Sequence, residues 1–295
     1  MVTSPEELRE QLVAQGYLAD DGVATAAYLA LAMRRPLFLE GDAGVGKTAL
    51  AQALAGLLDA PLIRLQCYEG IDASQALYDW DFPRQLLHLR AAEAAHRTDD
   101  AEALEGELYS RRFLVARPLL EAIETNPSVL LVDEVDRADD EFEAFLLEVL
   151  SDFTVTVPEL GTIRAEVPPV VVVTSNRTRE VHDALKRRCL YHWVDHPSFE
   201  REVAIVRARY PQASESLARD VTAAVQRLRG ADLLKPPGVA ETLDWTQALL
   251  TLGVQTLDAE TATRTLGALL KYREDHDRVA RGGLTGLLEA AVGGG

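Results

Sequence analysis

The chain has 295 residues, 47% of them hydrophobic and 26% charged, with 30 Lys and Arg against 47 Asp and Glu for a net charge of −17. That length suits one large or two moderate domains with a real core, and the hydrophobic share excludes a disordered chain. The acidic balance argues against a protein that grips duplex nucleic acid by neutralising phosphates, and against attraction to an anionic membrane surface.

In chain order, Ser4-Pro5-Glu6-Glu7 predicts a helix start, with Ser4 as cap, Pro5 in the first turn and Glu7 reaching back, followed by Leu8, Leu12 and Val13 as an apolar stripe. An Ala-rich helix over about Val23 to Met33 follows. Short apolar runs then alternate with helical patterns: Pro36 to Leu39, Leu62 to Leu65, Val129 to Val132, Val170 to Thr174 and Leu190 to Val194. Bare apolar runs separated by helices predict parallel strands covered on both faces, an α/β layer architecture.

Two segments interrupt that rhythm. Between Tyr68 and Phe113 the pattern turns mixed, with four aromatics (Tyr68, Tyr78, Trp80, Phe82) and an acidic stretch from Asp99 to Glu107, which reads as an insertion. Phe153 to Val157 and Thr162 to Val167 flank Pro158-Glu159-Leu160-Gly161, a hairpin signal expected to project from the sheet.

From Pro197 onward the strands stop. Amphipathic patterns over Phe199 to Arg209, Ala213 to Arg229, Val239 to Leu252 and Ala259 to Arg273, broken at Lys235-Pro236-Pro237-Gly238, predict a helical second unit. The expected division is 1–196 and 197–295. Charge follows a similar split, since residues 1–199 carry 18 basic and 34 acidic side chains and the remainder 12 and 13. The Gly-rich C-terminal end is expected to fray.

The strongest chemical signal is Gly41-Asp42-Ala43-Gly44-Val45-Gly46-Lys47-Thr48, a GxxxxGK[ST] match lying after an apolar run and before a helical one. Phosphates need closely approaching backbone N–H groups, a mobile ammonium and a hydroxyl for Mg²⁺; the glycines, Lys47 and Thr48 supply them. Next comes Val129-Leu130-Leu131-Val132-Asp133-Glu134, an apolar strand ending in two carboxylates. Ligands gather at the carboxyl ends of parallel strands, so Asp133 is expected to hold Mg²⁺ and Glu134 to orient the attacking water. Asp136, Asp139 and Asp140 read as a solvated, acidic helix start. The third strand end, Thr174-Ser175-Asn176, offers a neutral amide between the γ-phosphate and that water. Lys186-Arg187-Arg188 precedes the last strand, and an arginine supplied in trans stabilises phosphoryl-transfer charge only if subunits form a ring.

Other reactive residues carry less. Cys67 and Cys189 share no CxxC or His-rich context, which fits reduced thiols in a cytoplasmic protein, and His182, His192 and His196 lack the carboxylate pattern of a metal site. The start of the chain, MVTSPEELRE, has no apolar leader core, and no apolar run approaches the ~20 residues of a membrane span, so no integral membrane segment is expected.

Together, Gly41–Thr48, Val129–Glu134, Thr174–Asn176 and Arg187–Arg188, followed by a helical lid, resemble the AAA+ ATPases. The insertion and the hairpin resemble the MoxR branch. Leu65-Gln-Cys-Tyr-Glu-Gly-Ile-Asp, Tyr78-Asp-Trp-Asp-Phe-Pro-Arg-Gln-Leu-Leu, Thr174-Ser-Asn-Arg-Thr-Arg-Glu and Ala240-Glu-Thr-Leu-Asp-Trp are similar to its CoxD-like members. The resemblance implies an α/β P-loop NTPase core with β-hairpin insertions and a C-terminal all-helical lid. It makes Gly41 to Thr48 the Walker A loop, Asp133 and Glu134 Walker B, Asn176 sensor 1, and Arg188, or else Arg187, the arginine finger. It further implies ATP and Mg²⁺, a homo-oligomeric ring, commonly a hexamer, a partner with a von Willebrand factor A domain, and a client metalloenzyme of the molybdenum hydroxylase type. One departure stands out: Gly238-Val-Ala-Glu-Thr-Leu-Asp has no arginine where many lids carry one, leaving Arg264 or Arg273 as substitutes. The aromatics of the insertion fit either client gripping or ordinary packing. A nucleic-acid motor and a nucleotide-gated scaffold with little hydrolysis are the competing readings, and a small-molecule kinase explains neither the paired carboxylates nor the arginines.

Overall fold

The computed structural model describes residues 2–94 and 101–282. The Asp99 and Asp100 end of the acidic stretch and the Gly-rich C-terminal end from 283 lie outside the described residues. Helix α1 (Pro5–Ala14) starts as its sequence dictates, with Ser4 Oγ accepting from the Glu7 amide at 3.2 Å. Glu7 reaches back one residue further than expected, to the Thr3 amide at 2.6 Å. Helix α2 (Asp21–Met33) is capped by Asp20, whose carboxylate accepts from the Val23 amide at 2.7 Å, so it begins before the Ala-rich run.

Strands β1 (Leu37–Glu40), β2 (Leu62–Gln66), β5 (Val129–Asp133), β8 (Val170–Ser175) and β9 (Leu190–Trp193) form one parallel sheet in the order β2-β5-β8-β1-β9. Their bare apolar runs arise because both faces are buried. Phe38, Leu130, Val132, Val171 and Val173 enter one core, while Leu37, Leu39, Leu131 and Val172 enter the other. The second core is closed by α1, α2 and α3 (Lys47–Leu57) through Leu8, Leu12, Val23, Leu50 and Leu54.

The insertion contains α4 (Ala73–Ala76), β3 (Tyr78–Trp80), α5 (Phe82–Ala94) and α6 (Ala101–Leu108); β3 pairs antiparallel with β4 (Leu114–Ala116). Its aromatics divide. Trp80 packs edge-on against Tyr78 and Tyr109, whereas Phe82 is 62% exposed and Tyr68 45%. Helices α7 (Pro118–Glu124) and α8 (Asp140–Asp152) complete the first core with Leu119, Leu120, Phe142 and Leu146. The expected hairpin forms as β6 (Thr154–Val157) and β7 (Gly161–Arg164), a sheet of its own, moored to that same core by Val155 and Val157. Helix α9 (Asp183–Arg188) leads into β9.

The helical region holds α10 (Phe199–Arg209), α11 (Glu215–Arg229), α12 (Val239–Thr251), α13 (Ala259–Leu269) and α14 (Arg273–Gly282); the last four surround a third core centred on the fully buried Trp245, and α10 joins α11 through a smaller cluster of Val203, Val206 and Ala218. The last expected helix, Ala259 to Arg273, stops at Leu269, and a further helix that was not expected, α14, starts at Arg273. Leu270 turns extended because it and Leu269 both enter the core, and the buried Asp275 of α14 accepts from the Leu234 and Lys235 amides at 2.7 and 3.2 Å. Tertiary packing ends this helix early; no Pro marks the place. Among the described residues no helix is long and apolar enough to cross a membrane.

Candidate active site at the carboxyl ends of the strands

The chain leaves β1 at Glu40, turns through Gly41 to Gly46 and enters α3 at Lys47. Three glycines are needed, one for space and two for their left-handed backbone. A Cβ on Gly41 would lie 2.4 Å from the Val194 carbonyl oxygen, Gly44 has φ +79, and Gly46 has φ +100 at the N-cap of α3. Gly46 brings no side chain to cap the helix, which leaves first-turn N–H groups facing the concave loop. Val45 is buried in the core and Ala43 is exposed beside Gly238. Lys47, 6% exposed, folds over the loop and donates to the Gly41 and Asp42 carbonyls, both at 2.7 Å. Burial lowers the Lys47 pKa, opposed by Asp136, Asp42, Asp133 and Glu134.

Strand β8 lies between β1 and β5, so its end falls between the loop and the acids. Asp133 Oδ1 accepts from Thr174 Oγ1 at 2.6 Å and from Thr48 Oγ1 at 3.2 Å, while Oδ2 accepts from Arg64 Nε at 3.0 Å and from an Arg64 terminal nitrogen. The Thr48 hydroxyl and Asp133 carboxylate form a hard oxygen pair of the type Mg²⁺ prefers. Glu134 leaves the strand in the left-handed region, φ 55, with its amide donating to Thr174 Oγ1 at 2.9 Å. That turn swings its carboxylate to Asn176 Nδ2, which donates to Oε1 at 3.1 Å, and to Gln66 Nε2 and Arg137, which donate to Oε2, each at 3.1 Å.

Asp136 corrects the reading as part of a solvated helix start. It is 1% exposed and accepts from the Asn176 amide at 3.1 Å, the Thr178 amide at 2.8 Å and Thr178 Oγ1 at 2.7 Å. Asp139 and Asp140 are exposed, Asp139 capping α8 through the Phe142 amide at 2.9 Å. The loop after Asn176 is further anchored by Arg179, which donates to Ala138 O and to the buried Glu143, and by Glu143 accepting from the His182 amide at 2.7 Å.

Arg187 and Arg188 do not join this cluster. Leu190 pairs with Leu37, the first residue of β1, so both arginines sit at the amino-terminal edge of the sheet, ~10 Å of strand from the loop at ~3.3 Å per residue. Both are exposed, and Arg188 donates to Ser151 at 2.9 Å. The lid meets the loop at the N-terminus of α12, where the Ala240 amide donates to Gly44 O at 3.1 Å and a Cβ on Gly44 would lie 2.9 Å from the Glu241 carboxylate. Neither expected substitute arginine is there: Arg264 is exposed and pairs with Glu260 on its own helix, and Arg273 is exposed. Arg229 lies nearer, donating to Pro237 O at 2.7 Å and to both oxygens of the fully buried Glu202 at 2.6 and 2.7 Å. His196 bridges the two parts, its Nε2 3.3 Å from Asp42; burial, then Arg229, lowers its pKa.

Sequence reasoning missed Arg64, Gln66, Thr174, Asp136 and Arg229. The first two had one available signal, since a polar residue interrupts an otherwise apolar strand at each position.

A glycine loop feeding a helix, a buried lysine across it, and two carboxylates at the end of β5, one strand removed across β8, define a P-loop ATPase of the AAA+ architecture. The family model for the AAA domain (dynein-related subfamily) matches residues 36–189, and the chain belongs to that family. It is accordingly an ATPase. Among solved structures it resembles an alanine-to-serine mutant of Thermotoga maritima RuvB, with 17% identity, TM-score 0.53, and coverage of 96% of this chain and 85% of that one. A second Thermotoga maritima RuvB structure, described as a Holliday junction branch migration motor, aligns at 14% identity and TM-score 0.48 over 89% of this chain and 70% of that one. No curated protein matches the chain in sequence.

Proposed function

We propose that the protein is a Mg²⁺-dependent AAA+ ATPase of the MoxR branch, CoxD-like subgroup, that works as a ring-forming cytoplasmic chaperone maturing a metalloenzyme, with residues 1–196 as ATPase core and 197–295 as lid. The observation that carries the hydrolytic reading is Glu134 held by Asn176 on one side and Gln66 on the other, beside the Lys47 loop. The loop from Gly41 to Gly46 and the first turn of α3 receive the β- and γ-phosphates through backbone N–H groups. Lys47 moves its ammonium from the Gly41 and Asp42 carbonyls onto phosphate oxygens, and Thr48 and Asp133 would hold Mg²⁺. When bound, the ion neutralises charge on the transferring phosphoryl group. Glu134 orients and accepts a proton from the attacking water, and Asn176 fixes the carboxylate without adding charge. Arg188, or else Arg187, completes the neighbouring subunit's site; their place at the amino-terminal edge of the sheet, away from their own loop, supports this reading.

The motifs of the insertion and the TSNRTRE segment support the CoxD-like assignment, and with it a von Willebrand factor A domain partner and a molybdenum hydroxylase client. The concentration of negative charge in residues 1–199 favours a protein client over nucleic acid. The test is purification of the native complex with mass measurement, alongside ATP turnover with and without single- and double-stranded DNA. A ring bound to a metalloenzyme or to a von Willebrand factor A protein, with turnover indifferent to DNA, is expected. DNA-stimulated turnover at moderate salt overturns the chaperone reading in favour of a motor.

A further inference from the structure

Glu40 is a buried carboxylate that phosphate binding does not call for. It ends β1, one residue before the loop, and is 4% exposed. A negative charge there works against bound phosphate and is costly to bury without a partner. Its partner is Lys186, whose Nζ lies 3.3 and 3.4 Å from the two carboxylate oxygens. Tyr191 donates to Oε2 at 2.8 Å, and Ser175 Oγ to Oε1 at 3.5 Å. The Lys186 ammonium also sits 5.6 Å from the Phe38 ring and 5.9 Å from Tyr191, two rings stacked 6.1 Å apart.

Each end of this pair is informative. Glu40 borders the phosphate loop, and Ser175, which it contacts, precedes Asn176 and accepts from the Arg177 amide at 3.0 Å. Lys186 lies on α9, directly before Arg187 and Arg188. The same C-terminal turn of α9 is held a second time, since Arg35 donates to the carbonyls of Arg187 at 2.9 Å, Arg188 at 3.2 Å and Cys189 at 3.3 Å. The helix that carries the arginines is thus tied at two points to the residues bracketing β1, the strand that feeds the loop.

We propose that Lys186, through its ion pair with Glu40, is a positioning residue that aims the arginine this subunit offers to its neighbour. The proposal rests on the trans-arginine reading given above. Glu40, at the end of the strand that feeds the loop, thereby fixes α9 in its own subunit, whatever nucleotide that loop holds. Loss of Lys186 damages the neighbour's site and leaves the donor's own site intact.

Subunit mixing reads that distinction. Lys186→Met is expected to lower kcat at least tenfold with nucleotide affinity within twofold of the parent, and Lys186→Arg to keep most of the activity. Should Lys186→Met fail to fold because Glu40 is left unpaired, the double variant Glu40→Gln with Lys186→Met removes both charges and takes its place. Co-expressed with Lys47→Ala subunits, whose own site is dead and whose α9 is intact, either variant is expected to recover about a quarter of parental turnover from random pairing around a ring. Arg188→Ala and Arg187→Ala, each mixed with Lys47→Ala, are the controls. Recovery with an arginine variant but none with Lys186→Met or the double variant overturns the proposal alone. No recovery with either arginine variant overturns the trans-arginine reading and the proposal with it.

Discussion

Asn176 Nδ2 donates to Glu134 Oε1 at 3.1 Å, and the two residues end neighbouring strands of the parallel sheet. The amide holds the carboxylate without adding a charge to the site, which keeps Glu134 aimed. Asn176→Ala is therefore expected to lower kcat by about 10²-fold, on the scale of losing one positioned hydrogen-bond donor, while nucleotide affinity stays within twofold. Steady-state turnover and equilibrium binding of a fluorescent ATP analogue separate these effects. A variant that loses affinity and keeps kcat contradicts the role given to Asn176.

Asp136 holds the turn that presents Asn176. Replacing it with alanine orphans the Asn176 and Thr178 amides, at a cost of about 1–3 kcal/mol in the folded state. Asp136→Ala is expected to unfold at lower urea and to lose turnover, whereas Asp139→Ala, at an exposed helix cap, costs about 1 kcal/mol and leaves turnover alone. Urea midpoints for both variants check the contrast, and equal midpoints contradict it.

His196 ties pH to the junction of core and lid. Its ordinary value of 6.5 is lowered in the folded state first by burial and then by Arg229, against the opposing pull of Asp42 and Glu202. A base whose folded pKa lies below its unfolded one binds fewer protons when folded. Its contribution is complete above pH 6.5 and is lost as pH falls through the lower, folded value. Denaturant midpoints between pH 7.5 and pH 5 are expected to fall less for His196→Gln than for the parent; an equal or steeper fall contradicts this.

Both thiols are expected to be inert. Burial pushes Cys67 and Cys189 up to about 12, so at pH 8 only ~10⁻⁴ of either is thiolate. A thiol reagent is expected to find no reactive cysteine in the native protein and two after denaturation. Native labelling of Cys67 at the rate of a free thiol would mean that the strand end beside Asp133 opens readily.

The sheet was legible because its strands are buried on both faces, and an apolar run such as Val129 to Val132 carries that fact locally. The loop from Gly41 to Thr48 was legible for a similar reason: conformation, ammonium and hydroxyl lie within eight consecutive residues. What escaped was set by partners distant in sequence. Asp136 looks like any acid at a helix start until the chain 40 residues later brings it two amides and a hydroxyl. Gln66 matters only because register places it opposite Asp133, which swings Glu134 within reach. The break between α13 and α14 has no sequence marker, since the burial of Leu269, Leu270 and Asp275 causes it.

Single-turnover hydrolysis of bound ATP by the parent, Lys47→Ala and Glu134→Gln, with nucleotide occupancy measured in the same samples, probes most directly whether the loop holds the triphosphate and the β5 acids cleave it. Parent protein is expected to bind and cleave, Glu134→Gln to bind with parental occupancy and leave ATP intact, and Lys47→Ala to bind poorly. Undiminished cleavage by Glu134→Gln, or undiminished occupancy in Lys47→Ala, would contradict the account.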